Sequence, residues 1–353
     1  MNEFTDKRVL VVGGAGFVGN NLVKGLLKYA PREIVIIDNL LSSERETVPV
    51  SPAITFIEGS ITDDGILADL DDDMAYVFHL ATFHGNQNSI HDPLADHANN
   101  TLTTLKLYER IHAFKNIEKI IYSSAGCTVA EKTYDDAQAT REDAPVSLYL
   151  DSPYQISKII GELYSNYYHV RYQLPAVKAR FQNVYGPGEI LGAGRWRGTA
   201  ATVWRNVIPT FIYKAIKGQA LPIEGSGEAT RDFIYVEDIV EGLLLCATRG
   251  FPGEVYNLAS GTQTSIRELA RSINEITGST TPSEWYPGRN WDRSGKRFGS
   301  TEKSKKGLGF ESKVNLRDGL KRTIDWTRNN LTLVESCIER HRAYIEKKGV
   351  ANA

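Results

Sequence analysis

Cysteine and methionine are scarce, with three and two residues in a chain of 353. Cys127, Cys246 and Cys337 lie too far apart for a zinc site and are too few for a disulfide framework, so a reduced cytoplasm is the expected setting and no metal is expected. No apolar run approaches the ~20 residues of a membrane span. The opening residues Met1–Lys7 lack the basic-then-apolar profile of a signal peptide. An excess of either charge is also missing. Lys and Arg number 41 against 43 Asp and Glu, a net charge of −2, which gives no global reason to bind nucleic acid or an anionic membrane. There is no internal repeat and no low-complexity tract. What remains is an ordinary globular composition, long enough for one large domain with an appended lobe.

Glycine, by contrast, is placed with purpose. Val9–Val12 reads as a buried strand, and Gly13, Gly16 and Gly19 follow at the spacing of a dinucleotide turn. Gly13 permits the tight turn, Gly16 admits a pyrophosphate close to the backbone, and Gly19 packs helix on strand. The pyrophosphate would meet free N–H groups at the positive helix end, where Phe17 and Val18 stand. The next strand, Glu33–Ile37, ends at Asp38-Asn39. Asp38 would accept hydrogen bonds from the adenosine ribose and repel a 2′-phosphate, which favours NAD over NADP.

The first half alternates strand and helix signals. Strands are expected at Arg8–Val12, Glu33–Asp38, Ile54–Glu58, Met74–Leu80 and Ile117–Ser123, with helices including Asn20–Tyr29 and Pro93–Phe114. This pattern predicts an α/β fold, a Rossmann-type doubly wound parallel sheet with a smaller, interleaved C-terminal substrate-binding lobe. Residues 1–186 would form the NAD-binding domain, with later returns to the sheet near 230–262. Residues 187–330 would form most of the lobe, including a helix at Pro209–Lys217, and residues 331–353 a C-terminal helix (Leu331–Glu346) and tail. Ligands of such sheets sit outside the carboxyl ends of the strands, so chemistry should cluster after Val12, Asp38, Leu80 and Ser123.

The second chemical signal is Tyr154 and Lys158. Four residues apart on a helix, they share one face. A phenol is a poor base near neutral pH, but a neighbouring ammonium and a nicotinamide cation favour phenolate. Ser123-Ser124 close the preceding strand, and Ser124 is the favoured partner for a substrate hydroxyl, with Ser123 and Thr128 as alternatives.

Together these residues resemble the extended short-chain dehydrogenase/reductase family, in its nucleotide-sugar epimerase and dehydratase branch. The markers are Gly13–Gly19, Asp38-Asn39, His79-Leu80-Ala81, Asn100, Ser123-Ser124, Tyr154/Lys158, Arg180–Pro187 and Arg231–Asp238. Thr82–Gln87 and Gly192–Arg197 resemble segments of a bacterial O-antigen enzyme. The resemblance implies tightly bound NAD, resting as NAD+, held also by Ser60, Ile61, Leu80, Ala81, Thr82, Asn100 and Phe181. Ser60 stands where relatives carry an aspartate against adenine, and Asn100 would buttress the catalytic helix. A nucleotide-diphosphate sugar, UDP-linked, would contact His84, Ser124, Asn183, Asn206, Val207, Leu221, Ile223 and Arg231, with Arg289 or Arg297 as a second diphosphate contact. The resemblance also implies a cytoplasmic homodimer joined through a four-helix bundle from Pro93–Phe114 and Pro153–Tyr172.

Dehydratases of this branch carry an Asp-Glu pair where this chain has Ala125-Gly126. The 3,5-epimerase type places a cysteine one residue away from Cys127, which reads more simply as a small buried filler. The reading left is a UDP-sugar 4-epimerase of surface-polysaccharide synthesis. Tyr154 removes a proton from the C4 hydroxyl, a 4-keto sugar forms and turns, and Tyr154 returns the proton. A 3,5-epimerase, decarboxylase or 4,6-dehydratase on the same scaffold, a non-catalytic NAD-binding sensor, and an oxidoreductase with net NAD turnover are the alternatives. Arg195 and Arg197 sit in a glycine-rich loop where they are able to hold phosphate or a uronic acid carboxylate, or simply order the lobe.

Overall fold

The computed structural model describes residues 3–126, 135–290, 292 and 295–347. Six parallel strands fill the first half: β1 (Arg8–Val12), β2 (Glu33–Asp38), β3 (Ile54–Glu58), β4 (Met74–His79), β5 (Lys119–Ala125) and β6 (Ala176–Phe181). Short strands follow at β7 (Asn183–Tyr185), β8 (Pro222–Glu224), β9 (Thr230–Arg231) and β10 (Phe233–Tyr235). The chain then returns to the main sheet at β11 (Val255–Leu258) before β12 (Thr264–Ser265) and β13 (Glu284–Tyr286). The seven-stranded sheet runs β11-β6-β5-β4-β1-β2-β3. Its direction of growth reverses between β1 and β4, and the carboxyl ends of those two strands frame a crevice at this switch point.

Helices cover both faces, so the strands read as nearly continuous apolar runs. Over one face lie α1 (Phe17–Leu27) and α8 (Val236–Arg249), packing Leu22, Val23, Leu26, Leu243 and Leu244 on the sheet. The first half also carries α2 (Asp64–Ala68), α3 (Asn86–His91), α4 (Pro93–Asp96), α5 (Leu102–Ile111) and α6 (Pro153–Tyr172). From α5 and α6 come Leu107, Tyr108, Ile111 and Tyr168, which fill the opposite core. The second lobe gathers α7 (Val207–Ile216), α9 (Ile266–Thr277) and α11 (Leu316–Asn329) around Tyr185, Phe211, Ile223 and Leu269. α10 (Glu302–Leu308) supplies Leu308 to the core shared with α1 and α8. At the end, α12 (Leu331–Glu339) and α13 (Arg342–Lys347) complete the chain. Among the described residues, no helix is long and apolar enough to cross a membrane.

Two helix expectations need correction. Pro93–Phe114 is not one helix: α4 passes into a π-helical stretch, His97–Thr101, before α5 begins. Apolar periodicity does not reveal such a change, because it lies in the backbone hydrogen-bond pattern, and π-bulges favour functional positions. Leu331–Glu346 is likewise split into α12 and α13 by Arg340 and His341.

Candidate active site

The glycine turn is dictated by contact, not by flexibility alone. Gly13 has φ +84°, and a Cβ there would lie 2.6 Å from the Ala81 nitrogen. A Cβ on Gly19 would lie 2.1 Å from the Gly13 carbonyl oxygen. At Gly16 the nearest atom is Gly13 O at 3.3 Å, so a side chain there would occupy the open cradle at the start of α1. Gly16 also caps α1 without a side-chain acceptor, leaving Phe17 and Val18 at a positive helix end. Asp38 accepts from Ala15 N–H and Leu40 N–H, both at 2.9 Å, and from the Ser43 hydroxyl at 3.1 Å. Burial pushes its carboxyl up, and these donors pull it back. Asp38, Asn39, Ser60, Ile61, Leu80, Ala81 and Thr82 line one crevice with Gly13. These features fit a dinucleotide: an open cradle at a helix start and an acid at the end of β2.

α6 begins at Ser152, whose hydroxyl caps it, with Pro153 in its first turn. Tyr154 stands half-buried on that turn. Its N–H donates to Ser89 Oγ of α3 at 3.1 Å, which fixes where the helix starts. Lys158, buried one turn on, donates from Nζ to the Ser123 carbonyl at 2.9 Å. Its ammonium lies 5.8 Å from the Tyr154 ring centroid and 5.5 Å from that of Tyr122. Asn100, in the π-helical stretch, joins this helix to the crevice. Its Oδ1 accepts from Thr82 Oγ1 (3.0 Å) and Phe83 N–H (2.7 Å), while its Nδ2 donates to Asp96 Oδ1 (2.7 Å) and Ser157 Oγ (3.2 Å). Asn100 is thus buried between α6 and the crevice, with its amide oxygen and nitrogen both engaged by protein.

Ser124 also requires correction. Its buried hydroxyl donates to Glu162 Oε1 at 2.5 Å, two turns along α6 from Tyr154. Glu162 is in turn paired with Arg180 (Nη2–Oε2 2.7 Å, Nε–Oε1 2.8 Å). Side chains alternate along β5, so Ser124 is directed into this buried ion pair. Ser123 donates to the His79 carbonyl at 2.9 Å. Cys127 and Thr128 lie outside the described residues.

His79 is buried, bonded through Nε2 to Thr104 at 2.9 Å, with its pKa pushed down to about 3 by burial and by Lys158. His84 sets its ring edge-on to Tyr154, centroids 6.2 Å apart. Its Nδ1 is shut off from solvent without a hydrogen-bond partner among the described residues. Burial, then Arg205, Arg197 and Lys158, push its pKa down to about 3, so the imidazole is neutral.

On the lobe side, Asn183 donates to the Asp232 carbonyl at 3.2 Å. Asn206, just ahead of Val207 at the start of α7, donates to the buried carboxyl of Glu189, which burial raises to about 7. Leu221 and Ile223 were expected to line the nucleotide pocket, but both are buried in the lobe core, while Pro222 and Glu224 beside them are half-exposed. Arg231 pairs with Asp292 at 3.0 Å and donates to Gly295 O at 2.7 Å. The Arg297 N–H bonds to Thr230 Oγ1 beside it, whereas Arg289 is exposed and paired with Glu224 at the end of β8. Phe181 closes β6, partly buried against the sheet core.

Sequence reasoning missed Glu162, Ser89 and Asp96 as supports. Glu162 did carry a signal, since it lies on the same helical face as Tyr154 and Lys158.

The sequence profile described as the NAD dependent epimerase/dehydratase family matches residues 9–259. The crystal structure of the Bordetella bronchiseptica enzyme WbmF in complex with NAD+ and UDP is similar with a TM-score of 0.88 and 58% identity, covering 98% of this chain and 99% of that one. UDP-glucose 4-epimerase of Thermotoga maritima, solved with UDP-glucose, gives 0.83 at 30% identity over 92% of this chain and 99% of that one. UDP-glucose 4-epimerase of Mycolicibacterium smegmatis is 30% identical over 328 residues, 91% of this chain and 99% of its own length.

Proposed function

This chain belongs to the NAD dependent epimerase/dehydratase family, and from that membership we propose that it is a nucleotide-sugar 4-epimerase acting on a UDP-linked sugar. It is an enzyme with NAD as cofactor. The cradle at Gly16, the N–H groups of Phe17 and Val18, and Asp38 would hold the dinucleotide. When bound, NAD supplies a reversible acceptor for the hydrogen on the sugar carbon, which leaves the protein one proton to manage.

In this reading Tyr154 Oη takes the proton of the C4 hydroxyl and later returns it. The Lys158 ammonium, anchored on Ser123 O, favours the phenolate. Asn100 holds Ser157 and Thr82 together, so α6 and the crevice keep their spacing. His84, neutral at working pH, orients the sugar and does not compete for the proton. Ala125-Gly126, in place of the acidic pair of dehydratases, supports proton return over elimination. Arg231 would exchange Asp292 for the substrate diphosphate, with Arg297 as the nearer second arginine. UDP is supported by the ligands of WbmF and of the Thermotoga maritima enzyme.

The observation that carries the reading is the Lys158–Ser123 anchor beside Tyr154, at the sheet end where the glycine crevice opens. Purified protein incubated with UDP-glucose, UDP-galactose and their acetamido and uronic counterparts tests it, with products followed by proton NMR and bound NAD quantified throughout. C4 epimers should interconvert with no net change in NAD. No interconversion with NAD retained would make the chain a sensor, and accumulation of NADH an oxidoreductase. The reading extends to a cytoplasmic homodimer in surface-polysaccharide synthesis. Supporting the dimer, Ile156, Leu163, Tyr167 and Val170 form an exposed apolar stripe along α6, and Leu94 of α4 is exposed nearby.

A further inference from the structure

The loop between Glu189 and Asn206 carries a buried cation with no carboxylate paired to it among the described residues. Arg197 is 5% exposed. Its N–H donates to Thr202 Oγ1 at 3.0 Å and its Nη2 to Thr202 O at 3.3 Å, yet Nε and Nη1 are buried without a hydrogen-bond partner among the described residues. The charge that acts on it is another arginine, Arg205, whose own offsetting acids, Glu189 and Glu44, do not reach Arg197. Burial works against this charge, but a guanidinium keeps its proton. A buried cation in such surroundings is costly until its donors are met, by ordered water or by an anionic ligand.

The loop is built to hold that side chain in place. Gly198 has φ +95°, and a Cβ there would lie 2.1 Å from His91, so the backbone turns hard against α3. Thr199 donates to Asn88 Oδ1 at 2.6 Å, tying the loop to the same helix. On its other side, Arg340 pairs with Glu44 at 2.8 Å while His341 meets the Gly192 carbonyl at 2.9 Å, and Trp196 stacks on Tyr344. The C-terminal helices therefore clamp the loop. Arg197 bears electrostatically on His84, whose ring faces Tyr154. The loop that carries the unpartnered donors is tied to α3, the helix whose Ser89 receives the Tyr154 N–H, and so sits on the Tyr154 side of the site, whereas the cradle for a pyrophosphate lies at Gly16.

Resting on the 4-epimerase reading, we propose that Arg197 is the specificity residue for an acidic sugar, and that the substrate is a UDP-linked hexuronic acid whose C6 carboxylate takes the unpartnered guanidinium N–H groups. The chemistry agrees with the placement, since C6 is carried on the ring carbon next to C4. A neutral hydroxymethyl group at C6 would leave the cation uncompensated.

Calorimetric titration of the NAD-loaded protein with UDP-glucuronic acid, UDP-glucose and UDP tests this, with NAD+ titrated into stripped protein. The wild type should bind UDP-glucuronic acid roughly tenfold to a hundredfold more tightly than UDP-glucose, the worth of hydrogen bonds to a charged group. Arg197→Met should erase that preference while changing UDP and NAD+ affinity by less than about twofold, since the charged contacts to both diphosphates lie elsewhere. Arg197→Lys, which keeps the charge, should retain part of the preference and serves if the methionine variant does not fold. Equal affinity of the wild type for both sugars would overturn the proposal. So would an Arg197→Met variant that loses UDP or NAD+ binding to the same degree, because the cation would then serve a diphosphate. A wild type that epimerises UDP-glucose without preferring the acid keeps the 4-epimerase reading and removes this one. A wild type that prefers the acid in binding but inverts no sugar does the reverse.

Discussion

Lys158 reaches back from the second turn of α6 to the Ser123 carbonyl at the end of β5, 2.9 Å away, and so holds its charge beside the Tyr154 ring. This hydrogen bond ties helix to sheet, together with those from Tyr122 to the Lys158 carbonyl and from Ser124 to Glu162, and it fixes the cation that acts on the phenol. Tyr154→Phe should lower kcat by about 10²–10⁴-fold, the usual worth of a positioned acid–base group, with NAD still bound. Lys158→Met should move the acid limb of the kcat/KM profile to higher pH, because phenolate loses its nearest cation. Steady-state kinetics across pH, with bound NAD quantified, check both.

Ser124→Ala should act on stability and not on the chemistry. Glu162 keeps its pair with Arg180, so the loss is one hydrogen bond to a charged group, about 1.5–3 kcal/mol. Thermal melting should show a small drop, with kcat changed by less than about threefold. A loss of about a hundredfold would instead put the Ser124 hydroxyl in the reaction.

His79 should make the protein acid-sensitive. Its folded pKa of about 3 lies below the ordinary value of 6.5, so the unfolded chain takes up the proton first. The stability tied to its neutral form is complete above about 6.5 and is lost as pH falls towards about 3. By pH 5 the loss is about 2 kcal/mol from this residue, at about 1.4 kcal/mol per pH unit. His84 acts with the same sign, and Glu189, raised to about 7, with the opposite one. The urea midpoint measured at pH 7 and at pH 5 should fall more steeply in the wild type than in His79→Asn.

The exposed stripe Ile156, Leu163, Tyr167 and Val170 should be covered in solution by a second copy. Light scattering should give twice the chain mass, and Leu163→Glu should give the monomer. A wild-type monomer at micromolar concentration would contradict the dimer.

Much of this fold was legible because parallel strands buried on both faces write themselves as unbroken apolar runs. β1, β2 and β3 fall where Arg8–Val12, Glu33–Asp38 and Ile54–Glu58 were expected. The glycine turn was legible for the same reason, since backbone contacts such as Gly19 against Gly13 tolerate no side chain. Ser124 was not legible. Two adjacent serines at a strand end differ only in the face they present, and Arg180, on the neighbouring strand β6, helps decide which face meets an acid. The burial of Arg197 was hidden too, because its loop is held by residues distant in sequence, Asn88 at Thr199 and His341 at Gly192. Leu221 and Ile223 were assigned by likeness of sequence, while the alternation of β8 turns both into the core.

The fate of a label on carbon is the most direct measure of the central claim that Tyr154 moves only a hydroxyl proton. UDP-glucose and UDP-glucuronic acid deuterated at C4, incubated with the NAD-loaded protein in ordinary water, should yield C4-inverted product that retains its deuterium, and Tyr154→Phe should yield almost none. Inversion with loss of deuterium to solvent would mean that a base attacks the carbon itself, and it would contradict the account.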